Sequence, residues 1–331
     1  MTSATHLSPT STGGHTSYAS GTSGTPGAQR AMARRFRELH QSTDVLVLAN
    51  VWDAGSAALL AALPGVRALA TTSAGVAAAH GVPDGERLAL DHTLALVARI
   101  CRTADVPVSV DLEAGYGNRP EDVADSVASV IEMGAAGVNL EDGDPAHGDR
   151  LLPASANAER IAAARSAAGQ LDTPIVVNAR TDVYWRGIGA PDVWFAETAR
   201  RLRLYADAGA DCVFVPGFPG TGSAAGGGAR AGADLERQRG MIGDLVAHLE
   251  GVPLNLLAGS TDLPVDELRA LGVRRLSVGS ALYRLAMASA REAMGALLGS
   301  GRHEALAGAQ RLTYAELART LAAGATAGED V

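Results

Sequence analysis

Val108-Ser109-Val110-Asp111-Leu112-Glu113-Ala114-Gly115-Tyr116-Gly117 reads as a short apolar strand that finishes in two carboxylates and runs into a glycine turn. The pattern recurs at Gly137-Val138-Asn139-Leu140-Glu141-Asp142. Neighbouring parallel strands that both end in acids gather negative charge at one rim. Such a cluster is costly unless a proton or a cation neutralises it. Ligands that offer oxygen alone suit Mg²⁺ or Mn²⁺ better than zinc. The chemistry is expected at this rim.

Outward from this stretch the chain alternates β-branched runs with alanine-rich segments. The runs are Val45–Val51, Arg67–Thr72, Val106–Glu113, Gly137–Asp142, Pro174–Arg180, Cys212–Pro216, Pro253–Ala258 and Arg275–Gly279. The intervening segments mostly show helical spacing, as in Ala124, Val127, Val130 and Ile131. Asn118-Arg119-Pro120-Glu121 predicts a helix start, with Asn118 as the cap and a proline in the first turn. Strand–helix alternation repeated in this way predicts an α/β fold, a parallel (β/α)₈ TIM-type barrel. An open doubly wound sheet fits less well. Asn50-Val51-Trp52-Asp53-Ala54-Gly55 stands where a Gly-x-Gly-x-x-Gly turn would follow the first strand.

The barrel is expected to occupy residues 29–322 as a single domain, since such barrels use about 250 residues. Residues 1–28 are Ser, Thr, Gly and His with almost no large apolar side chain, a disordered tail by composition. They lack the basic and apolar regions of a secretory signal. A Gly/Ala/Ser-rich stretch near 219–232 reads as a flexible insert, and residues 323–331 as a frayed end. Segments within 282–322 add helices beyond strand eight, more than closing one barrel needs, so a homo-oligomer, a dimer or tetramer, is expected. Net charge is −8 and no basic stripe appears, which argues against nucleic acid. The apolar runs fall short of a membrane span. Two cysteines, Cys101 and Cys212, lie inside apolar segments, which fits a reducing cytoplasm and no disulfide framework.

Chemistry in such barrels sits on the loops after the carboxyl ends of the strands. Those ends carry Asn50, Trp52 and Asp53; Thr72 and Ser73; Asp111 and Glu113; Glu141 and Asp142; Asn178, Arg180 and Asp182; and Asn255 on strand seven. Asp111 is the best direct metal ligand, with Glu113 and Glu141 placed to hold metal-bound waters. The alternative is that these acids cap helices or pair with Arg180. Arg180 offers a planar fork for a carboxylate or phosphate. Gly115-Tyr116-Gly117 permits positive φ and close backbone approach. Asp53 is open between a helix cap and a ligand contact. The 143–155 loop is polar, glycine-containing and placed over the acids as a lid, and His147 on it is either a general acid–base or a solvent-exposed histidine.

Together these motifs resemble the isocitrate lyase/phosphoenolpyruvate mutase superfamily over residues 30–290. The resemblance runs through Asn50–Ser56, Thr72-Ser73-Ala74-Gly75, Gly81-Val82-Pro83-Asp84, Asp111–Gly117, Asn139-Leu140-Glu141-Asp142 and Asn178-Ala179-Arg180-Thr181-Asp182. It implies a (β/α)₈ barrel whose last helix is swapped between subunits, usually in tetramers. It also implies Mg²⁺ on Asp111, with Glu113 and Glu141 helping through water. Arg180 and Thr72-Ser73-Ala74 would bind the α-keto acid end of a small carboxylate substrate. Asp84 matches an aspartate of the mutase branch that lies beside the reacting group. The step shared by the family makes or consumes an enolate of pyruvate or a similar acid.

Two departures stand out. The lyase branch carries a cysteine loop after strand four, where this chain has Gly143-Asp144-Pro145-Ala146-His147-Gly148-Asp149-Arg150-Leu151-Leu152-Pro153. The mutase branch has a histidine after strand six, where Val215-Pro216-Gly217 stands here. The expected activity is a Mg²⁺-dependent lyase or decarboxylase acting on a small 2-oxo or 2-hydroxy acid. Phosphonopyruvate-type P–C chemistry and a non-catalytic keto-acid-binding barrel are the alternatives.

Overall fold

The computed structural model describes residues 26–220 and 232–326. Eight parallel strands close into a barrel in chain order. They are β1 Leu46–Val51, β2 Leu69–Thr71, β3 Val108–Asp111, β4 Gly137–Glu141, β5 Val176–Arg180, β6 Cys212–Phe214, β7 Leu254–Leu257 and β8 Arg275–Ser277. The helices are α1 Pro26–Gln41, α2 Ala54–Ala61, α3 Ser73–Ala79, α4 Leu90–Thr103, α5 Pro120–Glu132, α6 Ala154–Gln170, α7 Val183–Arg186 and α8 Trp194–Asp207. They continue as α9 Gly232–His248, α10 Val265–Ala270, α11 Ala281–Ser300 and α12 Tyr314–Thr326, with a 3₁₀ turn at Glu304–Arg311. All eight expected strands are present. Strand three is shorter than expected because Glu113 takes φ +51°, which a strand cannot continue.

The barrel is stoppered at its amino end. Helix α1 lays Phe36 under Leu46, Leu48, Ala70, Val176 and Cys212, an apolar floor. The floor is tight: a Cβ on Gly137 would stand 2.7 Å from the Phe36 ring and 2.9 Å from the Val176 carbonyl. Above it the interior turns polar, with Ser109, Asn139, Asn178, Asn255 and Ser277 all buried. The apolar faces of the strands and the surrounding helices make the larger core outside the barrel wall.

Period-two alternation separates the two acids that end β4. Glu141 turns toward the rim interior, while Asp142 points outward and is fully buried between barrel and helices. There Asp142 accepts from Thr181 Oγ1 at 2.7 Å, the Asp182 amide at 2.9 Å, Tyr205 OH at 2.7 Å and Arg201 at 3.0 Å. It is a structural residue.

Some element ends differ from the sequence reading. Helix α5 is capped at Arg119, not Asn118, and the Asp122 carboxylate accepts the Arg119 amide at 3.0 Å. Helix α1 begins at Pro26, inside the stretch read as tail, and α12 continues to Thr326, inside the stretch read as frayed. The rest of the tail, most of the 219–232 insert and the last five residues lie outside the described residues. Helix α11 buries none of its residues, and Leu285, Met287, Met294 and Leu298 are exposed along it. Helix α12 lies against α2 and α4 of the same chain. Cys101 and Cys212 are free thiols, both pushed up to about 12 chiefly by burial. No helix among the described residues is long and apolar enough to cross a membrane.

Removing Asp142 takes from the buried Arg201 the deeper of its two carboxylate partners, leaving Glu197. Asp142→Ala is expected to cost about 3–5 kcal/mol of stability, whereas Tyr205→Phe, which deletes one bond to the same carboxylate, costs about 1 kcal/mol. Urea denaturation midpoints check both.

Candidate active site

The carboxyl ends of the strands surround a cavity of about 130 Å³. Asp111, the last residue of β3, is fixed from three sides. Its amide donates to Thr71 Oγ1 at 2.8 Å. Its Oδ2 accepts the Ser73 amide at 2.9 Å and its Oδ1 accepts Asn139 Nδ2 at 2.9 Å. Strand register sets Asp111 beside Asn139 and Asn139 beside Asn178. Asn178 Nδ2 accordingly donates to Asn139 Oδ1 at 2.7 Å. Asn178 thus lies beneath the cavity and orients Asn139, rather than touching a ligand itself.

Arg180, at the end of β5, lines the same cavity. Its Nε and Nη2 donate to Asp182 at 2.6 and 3.1 Å, and its Nη1 meets Glu141 at 2.9 Å. Arg186 closes the group, reaching Asp182 at 3.0 Å and Glu141 at 3.4 Å. Burial alone would lower the Arg180 pKa, but Asp182 and Glu141 outweigh it and hold the guanidinium charged. Two arginines and two carboxylates neutralise one another, and the fork is immobilised.

Glu113 and Glu141 feel the Asp111 charge, but their carboxylates bond other partners. Glu141 has given its oxygens to Arg180 and Arg186. Glu113 Oε2 accepts the amides of Gly85 and Glu86 at 2.8 and 2.6 Å, and its Oε1 faces Tyr116 OH at 3.3 Å. It lines a small recess beside the main cavity. Among the described residues no three His, Cys, Asp or Glu side chains gather into a chelating group. The acids left facing the cavity are Asp111 and Asp84. Asp84 stands at the mouth, open to solvent on one side, with a hydrogen bond from Ser73. Partial burial and the Asp111 charge raise its pKa, and burial with Asp84 and Asp111 pushes Glu113 up to about 7. Oxygen ligands of one sign with no cation among them suit Mg²⁺, which binds through one or two carboxylates and completes its shell with water and substrate. The residues fit a sparse Mg²⁺ site with Asp111 as the direct carboxylate ligand.

The remaining candidates divide. Thr72, Ser73 and Ala74 line the cavity. Asp53 caps α2: its Oδ1 accepts the Ser56 amide at 2.6 Å while Ser56 Oγ accepts its own amide at 3.1 Å. Trp52 stands edge-on to Tyr283 with centroids 5.4 Å apart, outside the cavity lining. Gly115 and Tyr116 take φ of +96° and +57° in the loop after β3. Gly117 is packed so closely that a Cβ would lie 2.2 Å from that of Asp122. Asn255 is buried and shares hydrogen bonds with Ser277. His147 is 57% exposed and pairs with Asp144 at 3.0 Å on a loop pinned by a Gly143–Leu151 bridge and by Arg186. The structure does not bring it to the cavity.

Several cavity residues were not assigned a role from the sequence, among them Asn50, read only as a polar strand end, Arg275 and Trp185. Asn50 donates to the Thr71 carbonyl at 2.7 Å and accepts the Val278 and Gly279 amides at 2.9 and 3.0 Å, tying β1 to both neighbours. Arg275 lies inside the barrel with its guanidinium over Phe36, and burial lowers it to about 10. Its alternation with Ser277 along β8 was the available signal. Trp185 reaches the mouth from α7, which no local pattern announces.

A family model described as phosphoenolpyruvate phosphomutase matches residues 36–298. An uncharacterized protein of Mycobacterium tuberculosis is 33% identical, over 78% of this chain and 86% of its own length. A lyase/mutase candidate from Burkholderia cenocepacia J2315 has a crystal structure that superimposes with a TM-score of 0.76 at 33% identity, covering 88% of this chain and 96% of that one. 2,3-Dimethylmalate lyase, a PEP mutase/isocitrate lyase superfamily member, superimposes with a TM-score of 0.70 at 27% identity, covering 89% and 94%.

Asn139 is the side chain that holds Asp111 Oδ1. Asn139→Ala is expected to weaken Mn²⁺ binding about tenfold or more, the usual effect of losing a group that orients a ligand. His147→Ala leaves the affinity unchanged within error. Isothermal titration compares the two.

Proposed function

The chain belongs to the phosphoenolpyruvate phosphomutase family of the PEP mutase/isocitrate lyase superfamily, and we propose that it is a Mg²⁺-dependent carbon–carbon lyase acting on a small 2-oxo or 2-hydroxy acid through a pyruvate-type enolate. The observation that carries the reading is the pairing, across one small cavity, of a carboxylate fixed for an ion with an arginine fixed for an anion. Mg²⁺ bound there would supply Lewis-acid stabilisation of enolate charge. Asp111 would hold it, its rotation stopped by Ser73 and Asn139. Arg180 presents a fork that cannot swing, so orienting the substrate carboxylate needs no reorganisation. Thr72, Ser73 and Ala74 form the wall beside it. Asp84, raised by burial and by Asp111, is suited to hold and return a proton at its carboxyl oxygen.

Cleavage of a C–C bond is favoured over P–C chemistry by what lines the cavity after β6. Pro216 stands there and supplies no imidazole. A phosphonate would also bring extra negative charge to a mouth that already holds Asp84 and Asp111. The second reading, P–C chemistry on phosphonopyruvate, is favoured by the place of Asp84 in the cavity wall. A cytoplasmic location agrees with the free thiols. The exposed apolar side of α11 supports assembly with further copies, as a dimer or tetramer.

Incubation with Mg²⁺ and a panel of 2-oxo and 2-hydroxy di- and tricarboxylates is expected to release pyruvate, glyoxylate or a related keto acid. Release stops on chelation and in Asp111→Ala of intact fold. Phosphorus NMR of phosphonopyruvate remains unchanged; turnover of that compound alone would reverse the assignment. Light scattering is expected to give two or four times the chain mass, and a monomer would remove the assembly.

A further inference from the structure

Glu113 was expected to hold metal-bound water, yet its carboxylate bonds the backbone of the loop that carries Asp84 and faces the Tyr116 hydroxyl. We propose that Glu113 is a positioning residue: with Glu86 and Tyr116 it closes a ring that holds Asp84 over the cavity. The ring rests on three contacts, each linking one member to the next. Glu113 Oε2 accepts the Glu86 amide at 2.6 Å, and the Gly85 amide at 2.8 Å. Glu86 Oε1 accepts the Tyr116 amide at 2.8 Å. Tyr116 OH returns to Glu113 Oε1 at 3.3 Å and also meets Thr93 Oγ1 at 3.2 Å, on α4.

The backbone shows how much this arrangement demands. Glu86, Glu113 and Tyr116 take φ of +58°, +51° and +57°. Non-glycine residues visit that region rarely, and they persist in it where surrounding contacts over-determine them. Among the other described non-glycine residues only Asp172 and Glu250 share it, and both lie elsewhere in turns. All three ring members therefore adopt a disfavoured conformation, and in each case it lets the side chain reach the next. Arg160 braces the same loop from behind, donating to the carbonyls of Ala114 and Gly117.

Asp84 is joined to this ring through one peptide bond, since Gly85 carries the first amide that Glu113 holds. On its other side lies Ser73, whose amide bonds Asp111 and whose hydroxyl lowers the pKa of the Asp84 carboxyl. The ring thus fixes the distance between Asp84 and the Asp111 carboxylate. It joins two loops, 80–88 and 113–117, into one body. Glu113 Oε2 takes both amides and Oε1 faces Tyr116, while the side chain lines the recess beside the main cavity.

The inference rests on the proposed role of Asp84, but its test does not depend on turnover. Hydrogen exchange of the Gly85, Glu86 and Tyr116 amides, Mn²⁺ affinity by electron paramagnetic resonance, and kcat with KM are measured on the full chain. Glu113→Ala is expected to speed exchange at Gly85 and Glu86 at least tenfold while changing Mn²⁺ affinity less than threefold. Glu113→Gln restores protection, because one amide oxygen can accept both N–H groups and the tyrosine hydroxyl can reverse its role. Glu86→Ala, further from the ion, is expected to speed exchange at Tyr116 and, through the ring, at Gly85 and Glu86. In a turning-over enzyme the alanine variants lower kcat and leave KM nearly constant, and Glu113→Gln recovers most of kcat. A tenfold or greater loss of Mn²⁺ affinity in Glu113→Gln with protection retained would make Glu113 a metal-site residue and overturn the proposal. Exchange in Glu86→Ala that changes at Tyr116 alone would also overturn it. Protection behaving as expected in a chain without turnover would instead count against the proposed activity and leave the ring standing.

Discussion

Carboxylates crowded at the ends of adjacent buried strands must each find compensation, and how they find it organises this protein. Asp142 is matched outside the barrel wall by Arg201, Tyr205 and Thr181. Glu141 and Asp182 are matched by Arg180 and Arg186. Glu113 is matched by backbone amides. Asp111 and Asp84 are hydrogen-bonded, yet no described cation lies within ion-pair distance of either. An unpaired carboxylate beside another is the least favourable arrangement on the rim. Among the described residues it occurs around Asp111, Asp84 and the neighbouring Glu113, which marks the place where an external cation belongs.

Rigidity at that place is built from register rather than from loops. The row Asn178, Asn139, Asp111 crosses three adjacent strands at one level, so that each side chain orients the next. Because strands of a closed barrel cannot slide without breaking the ring, this alignment is among the most secure features available. Arg180 gains its fixed geometry differently, by having two carboxylates grip separate edges of its fork. Both partners in the proposed chemistry are therefore oriented before any substrate arrives.

Eight strands and the acid-bearing rim were legible because they rest on local signals: β-branched runs, glycine closures and the period of two. That same period already sends Glu141 and Asp142 to opposite faces. The fate of the acids was not legible, since their partners come from distant places. Arg186 belongs to a four-residue helix that no pattern announces. Glu86 and Tyr116 join across 30 residues, in backbone conformations disfavoured for their residue types. Asp53 turned out to be a cap because Ser56 sits three positions on and completes a reciprocal pair, a signal that was present in the chain. His147 stood in a loop that did face the acids, but its partner Asp144 is on that loop, and it remains there.

The neutral quartet around Arg180 bears on how an anionic substrate can enter. A lone arginine would attract a carboxylate strongly, but here Glu141 and Asp182 cancel most of its field beyond the first contact. Asp84 and Asp111 add repulsion at the mouth. Arg180 alone gives direction to a carboxylate and little net attraction. On the proposed reading the attraction comes from the ion on Asp111, so that substrate affinity and ion occupancy rise together. Arg180, held by Asp182 and Glu141, gives direction to the acid end, while the buried Arg275 below supplies positive charge that no described carboxylate within ion-pair distance offsets. Affinity and orientation are in this way assigned to different groups, and a cavity rich in acids can still accept an acid.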